Sequence, residues 1–239
     1  MNWNLKKNIK LSGVQILALG FVVIILVGTI LLTLPISTAS GESTSFLDAL
    51  FTATSAVCVT GLIVVDTGSY WNMFGQTIIM ILIEIGGLGF MSFTTLIAII
   101  LGKKITLRER LILQDAMNTF NIQGLVKMVK YVLVFTVSVQ FFGALLLSTQ
   151  FIPEFGFGKG AFYSLFHSIS AFCNAGFDVL GKGNSLISFN TNVVVIMVLS
   201  ILIIIGGLGF TVWSELYTCK SIRRVSIHSK MVLLITTGL

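Results

Sequence analysis

The sequence predicts an all-α integral membrane protein assembled from repeated span–pore-loop–span units (M1–pore-loop–M2), of which two are complete. Three observations predict it. First, 55% of the 239 residues are hydrophobic and only 10% are charged, with a mean hydropathy of +1.00, more apolar surface than a soluble domain needs. Second, FTATSAVCVTGL at 51–62 recurs as FHSISAFCNAGF at 166–177, with Phe51/Phe166, Ser55/Ser170, Ala56/Ala171, Cys58/Cys173 and Gly61/Gly176 in register. Third, thirteen of the fifteen Lys and Arg fall at the N-terminus, in 103–130 or in 220–230, and only Lys159 and Lys182 lie elsewhere.

Taken in order, the first apolar run is 14–34, twenty-one residues stopped by Pro35. It follows Lys6, Lys7 and Lys10 but is longer than the apolar stretch of a signal peptide, so it reads as a retained span. The segment 46–57 has twelve residues, about 18 Å as a helix, too short to cross a hydrocarbon core of roughly 30 Å. Ser45 and Asp48 form a capping box at its start. A short loop at 58–62 follows, and then a second long span at about 72–101. These elements make the first unit, 1–101. A basic linker, 102–127, separates the units; its apolar positions near one face suit a helix on the membrane surface or a solvated linker helix, and Thr106 with Glu109 forms a second capping box.

The second unit, 128–216, repeats the order: a span at about 128–147, a loop containing Pro153, a short segment at 160–172, a loop at 173–177 and a span at about 192–213. LIEIGGLGFMSFTTL at 82–96 aligns with LIIIGGLGFTVWSEL at 202–216. The remainder, 217–239, is a basic linker and what reads as the start of a third unit. If each short segment dips into the membrane and returns, the thirteen basic residues share one face, which the positive-inside rule makes cytoplasmic. Full crossings would scatter them across both faces. The N-terminus is therefore expected in the cytoplasm of a multi-pass protein in a lipid bilayer.

Each repeated segment reads as a pore helix followed by a filter loop. A dehydrated monovalent cation needs oxygen ligands in place of water, and backbone carbonyls from four loops around an axis can supply them. Irregular backbone at that depth is tolerated only where protein or a wet cavity satisfies it. The candidate ion-binding carbonyls are those of Val59, Thr60 and Gly61, and of Asn174, Ala175 and Gly176, with Cys58 and Cys173 as weaker candidates at the loop entrances. The bland alternative is a pair of helical hairpins whose glycines only aid packing; two copies in register argue against it.

Other residues have two readings. Asp66 and Asp178, just past the loops, concentrate cations at the mouth or are solvated loop residues. Glu84, near mid-span opposite Ile204 in the repeat, has a structural hydrogen-bonding role or a role in ion permeation or subunit contact. Gly86, Gly87 and Gly89, with Gly206, Gly207 and Gly209, serve close packing or act as hinges, with packing preferred. His167 reads as packed and hydrogen-bonded rather than as a pH sensor. No nucleophile–base pair, metal-ligand cluster or disulfide framework is present in the sequence, and the GGLGF motifs lie inside spans, so neither an enzyme, an organic cofactor nor nucleic acid binding is expected.

SAVCVTGL and SAFCNAGF, each followed by a span with IGGLGF, resemble the Trk/Ktr/HKT superfamily of potassium transporters. LTLPISTASG and ALFTATSAVCVTGLIVVDTGSYW resemble the membrane, ion-translocating subunits of bacterial Ktr uptake systems. The resemblance covers the whole chain. It implies four such units around a pseudo-fourfold axis, of which two are present here, in a bacterial plasma membrane. It implies K+ as the transported ion and a single glycine in each filter loop, matched by Gly61 and Gly176, with glycine at the first of these, Gly61, favouring K+ over Na+. It also implies a homodimer seated on a cytoplasmic nucleotide-binding regulatory ring. The family's gating loop and pore-facing arginine belong to the third and fourth units. A sodium-coupled or Na+/K+-permeable transporter of the same superfamily is one alternative, and a non-conducting assembly or signalling protein on this scaffold is another.

Overall fold

The computed structural model describes residues 13–89, 125–181, 185–209, 212–213, 215–216 and 225–238. Among them every regular element is helical, and pairing is limited to an isolated bridge between Thr38 and Trp71. The expected surface helix and its Thr106–Glu109 cap lie outside the described residues.

Helix α1, Gly13–Thr33, is apolar apart from Gln15, Thr29 and Thr33; the hydroxyls of Thr29 and Thr33 donate to the carbonyls of Ile25 and Thr29 one turn back. A short 3-10 turn, Pro35–Ser37, ends it where proline removes a donor. Helix α2, Phe46–Val57, begins as expected: Ser45 Oγ accepts from Asp48 N at 3.2 Å and donates to Asp48 Oδ2 at 2.8 Å. A single turn, α3 (Thr67–Tyr70), leads to α4, Met73–Leu88, whose N-cap Asn72 accepts from Phe74 N and Gly75 N. Asn72 Nδ2 also donates to the carbonyls of Ile36 and Thr38, tying the end of α1 to the start of α4.

The second copy uses the same order. Helix α5 is Leu125–Phe155, α6 is Phe157–Phe172, a 3-10 turn covers Ser185–Phe189, and α7 is Val193–Gly207 with Asn192 as its N-cap. A last helix, α8, runs Ile227–Gly238. Within the first copy α1, α2 and α4 pack on one another; within the second α5, α6 and α7 do the same; α4 against α6 joins the copies.

Four boundaries differ from the sequence reading. Helix α5 runs on past Leu147 and through Pro153, which had been expected in a loop. Proline two residues before a helix end forfeits little, because the turn at Gly156 (φ 80°) stops the helix at once. Helix α6 begins at Phe157 rather than Gly160 for the same reason. Helix α4 ends at Leu88, before Gly89 (φ 77°), and α7 ends at Gly207, two residues before the equivalent Gly209 (φ 83°), short of the expected span ends; positions 90–101 of the first expected span lie outside the described residues.

The main core is shared. Leu32, Ala53, Val57, Ile79 and Ile83 of the first copy are buried together with Phe166, Ala175, Phe177 and Val179 of the second. Large apolar side chains also face outward: Val22, Val23 and Ile30 on α1, Val137 and Phe142 on α5, Met197 and Ile201 on α7. So much exposed hydrocarbon would drive a water-soluble chain to associate. Among the described residues two helices, Gln15–Thr33 and Val129–Phe155, are long and apolar enough to cross a membrane.

Candidate functional site

Both repeated loops grow from the C-terminal end of a short helix, and their hydrogen bonds are the same pair by pair. Cys58 N donates to Thr54 O at 2.8 Å, Val59 N to Ala56 O at 3.3 Å and Thr60 N to Ser55 O at 3.0 Å. In the second copy Cys173 N donates to Ile169 O at 2.9 Å, Asn174 N to Ala171 O at 3.0 Å and Ala175 N to Ser170 O at 2.8 Å. The chain then reverses through positive φ twice: at Val59 (56°) and Gly61 (72°), and at Asn174 (58°) and Gly176 (72°). Asparagine and glycine tolerate that region; a β-branched valine does so only under strain. Ser55 Oγ donates to Leu62 O at 2.6 Å, and Ser170 Oγ to Phe177 O at 2.6 Å, so a buried hydroxyl closes each loop on itself.

The consequence is an arch of backbone whose carbonyls are free to act. Among the described residues none donates a hydrogen bond to the carbonyl of Val59, Thr60, Gly61, Asn174, Ala175 or Gly176. The helix C-termini of α2 and α6 lead into these arches, and the negative end of a helix dipole favours a cation.

The arches touch. A Cβ at Gly61 would lie 2.5 Å from Ala175 O and 3.3 Å from Gly176 Cα, and one at Gly176 would lie 3.7 Å from Gly61 Cα. Glycine is required at Gly61 both for its φ and for this approach. Farther along, a side chain at Gly68 would collide with Gly181 N and, at 2.6 Å, with Val179 O, so the segments after the loops also run together.

Glycines also seat each short helix. A Cβ at Gly86 would strike the Val57 carbonyl, and one at Gly206 the Phe172 carbonyl, so α4 and α7 meet the ends of α2 and α6 in the same way. Gly28 lies against Leu82 and Ala53, and its counterpart Gly143 against Leu202 and Ser168. The alternatives for the GGLGF glycines therefore divide by position. Gly86, Gly87 and Gly206 pack closely, Gly207 has only Asn174 Nδ2 nearby at 3.9 Å, and Gly89 and Gly209 break their helices.

The acidic candidates are all engaged. Asp66 Oδ1 accepts from Ser69 N at 2.8 Å and Ser69 Oγ at 3.0 Å, capping α3. Asp178 accepts from Leu180 N at 3.2 Å and Ser185 Oγ at 3.0 Å. Glu84 Oε2 accepts from Gln140 Nε2 at 2.8 Å and from Cys173 Sγ at 3.6 Å, so its carboxyl takes part in hydrogen bonding between the copies. His167 is 2% exposed, its Nδ1 lies 2.7 Å from Tyr163 O, and its ring meets Phe151 edge-on. Cys58 is exposed, whereas Cys173 is partly buried against Gly87.

Sequence reasoning assigned no role to Ser55 and Ser170, although their recurrence in register was visible. Gln140 went unnoticed because its counterpart is Ile25, so no repeat marked it. Gly28 and Gly143 recur 115 positions apart like the loops, a signal that was available.

A family model described as TrkH, cation transport protein, matches residues 6–235. The potassium/sodium uptake protein NtpJ of Enterococcus hirae is 51% identical over 97% of this chain and 51% of its own length. Ktr system potassium uptake protein B of Bacillus subtilis is 46% identical over 95% of this chain and 50% of its own. The protein of the same name from Vibrio alginolyticus is 39% identical over 93% and 48%. The chain thus spans about half the length of these curated relatives.

Proposed function

The chain belongs to the TrkH family of cation transport proteins, and on that premise we propose that it forms half of the K+ pathway of a Ktr-type uptake system. The transported ion is K+, held by the backbone carbonyls of Val59, Thr60 and Gly61 and of Asn174, Ala175 and Gly176. Each of the two copies is a re-entrant pore helix and filter loop between two spans. Four such loops complete the ring, and the α1 end of the chain lies in the cytoplasm.

The observation that supports this reading is the close approach of Gly61 to Ala175 and Gly176, which brings two arches of carbonyls without hydrogen-bond donors among the described residues side by side. Carbonyls held at that depth are satisfied by protein, by water or by a ligand, and a dehydrated cation is the ligand that several carbonyl oxygens suit. The names of the Bacillus and Vibrio relatives support K+ as the cargo, and the word system in those names supports a separate subunit. That partner is a cytoplasmic nucleotide-binding ring carrying a dimer of the membrane subunit. Asp66 and Asp178, fixed beside the arches, add negative potential at the outer mouth.

A Na+/K+ reading has one specific support, the name potassium/sodium uptake protein of the Enterococcus relative. Measuring K+ uptake with and without external Na+ separates the two. The central test is uptake by the full-length gene product in cells deficient in K+ transport. The native sequence restores growth at low K+, and Gly61→Ser or Gly61→Asp abolishes K+ preference. Unchanged preference in both variants would remove the filter assignment, and no uptake by the native protein would favour the non-conducting scaffold.

A further inference from the structure

A polar cluster ties the second loop to the first repeat. Glu84 belongs to α4, and both of its partners belong to the second copy. Its Oε2 accepts from Gln140 Nε2 of α5 at 2.8 Å and from Cys173 Sγ at 3.6 Å, at the residue where α6 gives way to the loop. Gln140 is 5% exposed, and its backbone carbonyl accepts from Ser168 Oγ of α6 at 2.7 Å. Gly87 makes the approach feasible, since a Cβ there would lie 2.5 Å from Cys173 Sγ. One carboxyl oxygen therefore touches the first residue of the second loop and the helix that holds α6.

This linkage occurs once. The repeat counterpart of Glu84 is Ile204 and that of Gln140 is Ile25, and neither can hydrogen-bond through its side chain. A carboxyl placed within an apolar helix is expensive and needs a hydrogen-bonding or functional role to offset it. The carbonyls of both loops form one cage only if the loops hold their mutual register, and a site loosened by a fraction of an ångström loses its discrimination.

Resting on the filter reading above, we propose that Glu84 is a positioning residue for ion selectivity: through Cys173 and Gln140 it fixes the carbonyls of Asn174, Ala175 and Gly176 relative to those of Val59, Thr60 and Gly61. Glu84 does not contact the ion. Its acceptor oxygen does the positioning, so its charge is dispensable.

The test uses the full-length protein in K+-transport-deficient cells, with Glu84→Leu, Glu84→Gln and Gln140→Leu. Glu84→Leu raises the KM for K+ about tenfold and lowers K+/Na+ discrimination by a similar factor, the size expected for one buried hydrogen bond lost. Maximal uptake changes less. Gln140→Leu shifts both in the same direction. Glu84→Gln, which keeps an acceptor oxygen, stays within about threefold of native. Native KM and discrimination in Glu84→Leu would overturn the proposal, and so would a loss in Glu84→Gln as large as in Glu84→Leu, which would make the charge itself the functional element.

A second measurement does not depend on transport. In a full-length background in which Cys173 is the sole cysteine, N-ethylmaleimide modifies it about tenfold faster when Glu84 is leucine, because the loop entrance loses its anchor. An unchanged rate would overturn the proposal. Because this readout needs no flux, failure of the positioning role is distinguishable from failure of the transport reading.

Discussion

Side by side, the loops at 58–62 and 173–177 share their backbone dihedrals, their capping bonds and their serine brace, yet they face different surroundings. Gly61 is pressed against the Ala175 carbonyl, whereas Gly176 meets only Gly61 at ordinary contact distance among the described residues. Cys173 is tucked against Gly87 of the neighbouring copy, while Cys58 is exposed. Thr60 is exposed and its counterpart Ala175 is buried. The conformation of each loop is thus a property of its own repeat, and its environment is a property of how the two copies pack. Equivalence of sequence does not bring equivalence of sensitivity to mutation.

The strongest challenge to this view is at the seats of the short helices, where the copies behave alike. Gly86→Ala and Gly206→Ala each drive a methyl into a carbonyl of the helix end, and neither backbone can yield. Both variants lose about 3 kcal/mol or more, read as a collapse in the yield of folded protein from detergent. A large loss in one and none in the other would break the equivalence of the two copies.

Next comes the glycine pair that should differ. Gly61→Ala combines a disfavoured φ with a contact at 2.5 Å to the Ala175 carbonyl, for a combined cost of about 2–4 kcal/mol. Gly176→Ala carries the conformational cost alone, about 1–2 kcal/mol. Thermal unfolding of the purified variants ranks them. An equal cost at Gly176 in the full-length protein would place another backbone against it, the neighbour that a four-loop ring requires.

The smallest effect concerns the residues at φ 56° and 58°. Val59→Asn relieves strain and raises stability by about 1 kcal/mol, while Asn174→Val imposes it and lowers stability by a similar amount. Opposite shifts in melting temperature sharpen the claim that the two arches are one structure. If Val59→Asn also weakens K+ uptake, the strain at Val59 contributes to function.

Much of this architecture is legible along the chain. The short helices and their Ser45 cap follow from length and pattern, and the paired loops follow from their register. The breaks at Gly89 and Gly209 are less so: glycine inside an apolar run signals packing and hinging equally, and only the conformation separates them. Pro153 was misplaced because a proline usually ends a helix, and nothing local reveals that a glycine three residues later does so instead. Val59 carries no mark of its left-handed backbone, since valine is among the residues least suited to it.

The sequence by itself determined the class, the family and the repeat, because apolar length, glycine position and in-register identity are one-dimensional signals. Only the tertiary structure decided which glycine is fenced by its neighbour, that Gly86 and Gly206 seat the helix ends, and that Glu84 joins Gln140 and Cys173. Those contacts cross from one copy to the other or between elements far apart in the chain. They depend on how helices close around a shared core, and no spacing along the chain encodes that.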